Sequence, residues 1–215
     1  MSEPIGSDSG SSSGSAAGLI PEGQGGTGKE KANYSPANIA VWILIWAEVT
    51  EFALFFLVFL VVRSHNPELF EQGPTQLNTW AGVINTLILL SSSYCVARAM
   101  AMIRTGRLKR SLHWLGGTIG CGLAYCAVKA WEYQWNHAAG LDSRTDMFYS
   151  LYYYLTFNHL LHVLVGMCAI GWAALRLHWG HFTPESHEGL EGAACYWHMI
   201  DLVWIIIFPL LYVMR

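Results

Sequence analysis

Five blocks of nearly unbroken apolar sequence govern what this chain can fold into. They cover residues 37–62, 80–103, 112–135, 148–177 and 193–214. Each is long enough to cross about 30 Å of hydrocarbon at about 1.5 Å per residue. The runs are continuous and do not alternate, which points to helices and away from barrel strands. The expected fold is therefore all-α: a polytopic membrane bundle of five transmembrane helices.

Composition agrees. Of 215 residues, 53% are hydrophobic and 13% charged, and the mean hydropathy is +0.32. That is too apolar for an ordinary soluble domain. A net charge of -3 argues against nucleic acid as a partner. Residues 1–35, with "SGSSSGSAAG" and "PEGQGGTGKE", hold too little apolar surface to fold and read as a disordered tail. No apolar stretch follows Met1, so no secretory leader is expected. The organised domain is residues 36–215. The five cysteines lie in or beside the apolar blocks without a CxxC pair, and read as small buried hydrophobes.

Orientation follows from lysine and arginine in the short loops. Arg104, Arg107, Lys109 and Arg110 follow the second block, Lys29 and Lys31 precede the first, and Arg176 closes the fourth. The opposite side carries Arg63, Arg144 and Arg215. The N-terminus is expected in the cytoplasm and the C-terminus outside. Tyr149, Tyr152, Tyr153 and Tyr154 open the fourth block, and Trp172 and Trp179 flank its other end, as headgroup-level aromatics do. The run "GGTIGCG" in the third block suits close helix approach.

Ionisable residues inside a bilayer cost about 2.5–3.5 kcal/mol each on insertion scales, so they need a reason. Here they fall three apart, on shared helix faces: Glu48 with Glu51, Lys129 with Glu132, His159 with His162, and His198 with Asp201. Glu48 and His159 both fall roughly 16 Å deep, and Asp201 about 12 Å, with His162 and His198 near that level. Side chains from three helices are thus expected to meet in one layer. Glu132 falls near the far interface, where Lys129 reads as its local ion-pair partner. Two carboxylates as close as Glu48 and Glu51 should not both ionise. His159, His162, His198 and Asp201 read as an interhelical polar network, with His198 and Asp201 locking the fifth block against the first and fourth. The competing reading is an intramembrane metalloenzyme with Glu48, Glu51, His159, His162, His198 and Asp201 as ligands. It departs from the Glu-x-x-His pairs of bundle di-iron sites.

Five strings, in order, carry a resemblance. They are "WAEVTEFALFF", "INTLILLSSS", "VKAWEY", "YYYLTFNHLLHVLVG" and "HEGLEGAACYWHMIDLVWIIIFPLLY". Together they resemble subunit III of the haem-copper respiratory oxidases, the cytochrome c oxidase subunit 3-like family. The loop "VVRSHNPELF" and the pairing of Lys129 with Glu132 resemble most the branch found beside nitric oxide reductases. The resemblance implies a non-catalytic multi-pass subunit of a bacterial inner membrane, with no haem, copper or other cofactor of its own. Its implied partners are the catalytic subunit I, a subunit II or cytochrome c-type subunit, and membrane phospholipid. It implies that Glu48 is the family's intramembrane carboxylate, tied to lipid binding and to sustained proton uptake. Glu132, His159, His162, Trp197, His198 and Asp201 match motif positions, as do His187 and Glu191 in a loop. The mitochondrial form has seven spans, and this chain begins at the third. No phosphate-binding loop, dinucleotide fingerprint or paired-thiolate copper site is present in the sequence.

Overall fold

The computed structural model describes residues 36–180, 182 and 188–214. The expected tail, His187 and Arg215 lie outside the described residues. Six α-helices follow in order: α1 Pro36–His65, α2 Pro67–Gln76, α3 Thr79–Arg104, α4 Leu108–Ala138, α5 Met147–His178 and α6 Glu188–Phe208, the last passing into a π-helical turn, Pro209–Val213. There is no strand among the described residues. A helix satisfies its own backbone, which hydrocarbon cannot do for it.

Four of these helices are long and apolar enough to cross a membrane: Ile39–His65 within α1, then α3, α5, and Glu188–Val213 through α6. The fifth expected span, α4, has 31 residues. Its length suffices, but Lys129, Glu132 and four glycines from Gly116 to Gly122 dilute its apolar character. The sequence blocks did not anticipate α2. Pro67 sits in its first turn, where a missing N–H costs nothing, and Phe70 is buried beneath it. Phe70 packs edge-on against Phe59 of α1 and Phe148 of α5, at 5.0 and 5.4 Å between ring centroids. This aromatic chain fastens one end of α1 to the start of α5.

Helix ends are set locally. Gly106 and Gly140 take φ of 72° and 75° just beyond α3 and α4, a conformation that closes helices and that a side chain resists. The α3–α4 connection is then only a few residues long, so these two helices run antiparallel side by side.

The centre of the molecule is α6. Of its apolar window 61% is buried within the chain, against 11% for α1. Trp197 and Trp204 are both fully buried. Their indole N–H groups donate to Ser92 Oγ and Thr86 Oγ1 of α3, at 2.9 and 3.0 Å. Trp197 lies where Gly122 of α4 and Gly166 of α5 leave room: a Cβ on Gly166 would sit 2.9 Å from Trp197 and from Ile200. The close approach predicted for the glycine run holds at Gly122, whereas Gly116 and Gly120 face open space.

Two readings of the apolar blocks need correction. None of the five cysteines is fully buried; Cys168 and Cys195 are exposed, and all five are free thiols. Cys95, Cys121 and Cys126 are half-buried, with Cys126 packed against the core, while Cys168 and Cys195 lie on outer faces, where lipid serves as well as protein for a small apolar group. Tyr149 and Tyr152 are buried inside the bundle, not spread at headgroup level, because their hydroxyls have partners there. Tyr154, Trp172 and Trp179 do point outward.

Candidate functional site

On α1, Glu48 and Glu51 stand one turn apart and reach toward α5. Glu48 Oε2 lies 2.5 Å from His162 Nε2, and Asn158 Nδ2 donates to Glu51 Oε1 at 3.0 Å. Asn158 is four residues before His162 and Glu51 three after Glu48, so each helix presents its two polar groups about one turn apart. Phe52 fills the space between, with its ring 5.1 Å from that of His162. The carboxylate and imidazole of the Glu48–His162 pair are 16% and 12% exposed, so they sit at the edge of the chain and not in its core.

The other ring nitrogen fixes the chemistry of this pair. His162 Nδ1 lies 2.7 Å from the Asn158 carbonyl oxygen. A carbonyl only accepts, so Nδ1 carries a proton. Nε2 then accepts from a neutral Glu48 carboxyl, or donates from an imidazolium to a carboxylate. In either form the pair holds one proton between its two heteroatoms.

Beside it lies an apolar cavity of about 270 Å³ between α1 and α6. Val49, Phe52, Phe56, Met199, Val203 and Ile206 are among its walls. Nothing polar is needed to fill it.

The remaining sequence-predicted residues divide differently from expectation. Glu48, Glu51 and His162 bring one ligand-type atom each within 4.8 Å of one another. His159, His198 and Asp201 do not join them, so the six-residue metal centre is not assembled. His159 turns into the core, stacked 5.1 Å from Trp204 and 5.9 Å from Tyr125. Residues three apart on a helix diverge by about 60°, enough to send these two histidines to different neighbours.

His198 does not lock α6 to the first and fourth predicted spans. Its Nδ1 meets Ser93 Oγ on α3 at 2.6 Å. Asp201 is 4% exposed, and neither carboxylate oxygen has a protein hydrogen-bond partner. The Ser93 hydroxyl lies beside it but is engaged with His198. Glu191, expected in a loop, is in the first turn of α6 and pairs with Arg104 at the end of α3, at 3.0 Å.

Lys129 and Glu132 do pair, at 3.0 Å, with both side chains wholly buried within the protein. Glu132 Oε1 accepts from Tyr152 of α5 and Tyr212 of the π-helical turn, at 2.7 and 2.5 Å. Lys129 also reaches Tyr212 Oη at 3.0 Å. Sequence spacing showed the pair but not the tyrosines that let it be buried. The triple Tyr152–Tyr154 run was the available signal, read instead as a headgroup belt.

This arrangement defines a multi-pass helical membrane protein in which polar pairs, not loops, tie helices together. A family model for cytochrome c oxidase subunit III matches residues 22–215. The cytochrome c oxidase subunit 3 of Synechocystis sp. is 31% identical over 195 residues, covering 87% of this chain and 81% of that protein. That of Gallus gallus is 35% identical over 174 residues, 76% of this chain and 66% of the other. The subunit 3 of Thermostichus vulcanus is 29% identical over 179 residues, covering 82% and 86%. The chain belongs to the cytochrome c oxidase subunit III family.

Proposed function

We propose that this chain is a non-catalytic membrane subunit of a respiratory haem-copper oxidase complex, and that Glu48 with His162 forms its proton-holding group. The single observation that carries the second part is the pair of contacts made by the His162 ring: with Nδ1 committed to a carbonyl, a hydrogen bond between Nε2 and Glu48 needs one more proton than a carboxylate and a neutral imidazole supply. The family supplies the first part. A pair that keeps a proton at the edge of the bundle suits delivery to a neighbouring catalytic subunit. The apolar cavity beside it suits an acyl chain of a membrane phospholipid.

In this reading α4 crosses the membrane as a fifth span, its charges hidden by Tyr152 and Tyr212. Residues 36–215 are the membrane domain and residues 1–35 a separate tail. The N-terminus is cytoplasmic, the C-terminus periplasmic, and the membrane the bacterial inner membrane. The partners are subunit I together with a subunit II or cytochrome c-type subunit, in a cytochrome c oxidase or beside a nitric oxide reductase.

Purification in mild detergent tests the assembly. A haem-containing partner should co-elute, and its identity decides between the two complexes. Elution without any haem protein would refute the assignment. Glu48→Gln keeps the size and removes the titrating group. The purified complex should assemble normally but lose activity sooner during sustained turnover. An unchanged rate of inactivation would remove the proton role and leave the assembly role standing.

A further inference from the structure

One helix each contributes a buried polar side chain that no protein group satisfies. These are Asn85 on α3, Tyr125 on α4, His159 on α5 and Asp201 on α6. The first three are 0% exposed and Asp201 is 4% exposed. Both amide atoms of Asn85, the Tyr125 hydroxyl, both ring nitrogens of His159 and both oxygens of Asp201 lack a partner. In folded proteins the large majority of buried polar side-chain atoms are met by protein or by ordered water.

Two of them meet beside Trp204: its ring lies 5.4 Å from Tyr125 and 5.1 Å from His159, and those two rings are 5.9 Å apart. Its N–H donates to Thr86, the residue after Asn85. Asp201 is one turn before it on α6. On a further side, Lys129 Nζ lies 5.4 Å from the Trp204 ring centre. There the Lys129–Glu132 cluster begins, and Asn136, whose amide nitrogen donates to Tyr152, keeps its side-chain amide oxygen unpaired.

We infer that the interior of the bundle is hydrated at these groups, with water bound beside Trp204 at Tyr125 and His159, and at Asn85 and Asp201 on α3 and α6, supplying the hydrogen bonds the protein does not. Water is the ligand whose chemistry fits. It both donates and accepts, as an amide, a hydroxyl, an imidazole and a carboxyl group together require. Internal waters characteristically make two to four such bonds. A partner subunit cannot satisfy these groups, because the chain itself seals them. The site does not involve Glu48 or His162 and stands apart from the proposed function.

Radiolytic hydroxyl labelling of the purified complex tests this, since radicals formed from bound water oxidise the side chains around it. Tyr125, His159 and Trp204 should be modified at least several-fold faster than Phe70 and Phe148, which are as deeply buried but walled by aromatic carbon. Equal, low rates would overturn the inference. Tyr125→Phe gives a second reading. If water meets the hydroxyl, removing it leaves the melting temperature unchanged or lower. A dry, unpaired hydroxyl would instead be a defect whose removal raises the melting temperature. That rise would also overturn the inference. If Tyr125→Phe does not fold, the labelling of the unaltered protein decides alone.

Discussion

Replacing Lys129 by methionine should destabilise the bundle far more than replacing Lys129 and Glu132 together. Glu132 is wholly buried and has three donors: Lys129 on Oε2, and Tyr152 and Tyr212 on Oε1. Lys129→Met removes the only opposite charge in contact among the described residues and leaves the carboxylate with two neutral donors. Breaking a buried pair from one side costs about 3–5 kcal/mol. The surviving tyrosine bonds place this case toward the lower end. Replacing both charged residues by apolar ones of similar volume removes the desolvation penalty with the attraction, and is commonly neutral or stabilising by about 1–4 kcal/mol. The tyrosines would still have each other, at 3.3 Å. Thermal denaturation of the detergent-solubilised complex, with yield as a second measure, should rank the unaltered protein and the Lys129→Met, Glu132→Met double variant together, well above Lys129→Met. If the double variant is as unstable as the single, the pair is held for a reason other than charge balance, and the argument from burial fails.

Other expectations can be checked with the same material. Gly166→Ala would press a methyl group against Trp197 and Ile200, which are both buried, and should cost about 1–3 kcal/mol of stability. Gly116→Ala, facing open space, should melt with the unaltered protein. His198→Leu removes the bond to Ser93 and should lower stability by about 0.5–1.5 kcal/mol, with Ser93→Ala showing no further loss in its presence. Arg104→Ala breaks only an exposed pair with Glu191 and should shift stability by no more than about 1 kcal/mol.

The helices were legible because lipid leaves a backbone few alternatives, and the apolar blocks alone placed α1, α3, α5 and α6. That Glu48 and His162 lie at similar depth was legible too, since depth along a helix is a matter of counting, but their pairing was not. What counting cannot give is azimuth. His159 and His162 share a face to first order, yet one enters the core and the other meets α1. The tyrosines around Glu132 were hidden for another reason. Tyr152 and Tyr212 come from 20 and 80 residues away, and an aromatic near a helix end reads equally well as an interface anchor. The partner of His198 had a signal that went unused. Ser92 and Ser93 with Thr86 mark a polar stripe on α3 that faces the tryptophans and the histidine of α6.

Little of α1 is packed into the chain. It lies along α6 and touches α5 through two polar contacts and a few aromatic rings, with α2 clasping its far end. Such a helix behaves as a latch. Whatever lies on its outer side, lipid or protein, presses on the contacts of Glu48 with His162 and of Glu51 with Asn158. A force on that face would therefore reach the acid directly, without disturbing the tryptophans behind it.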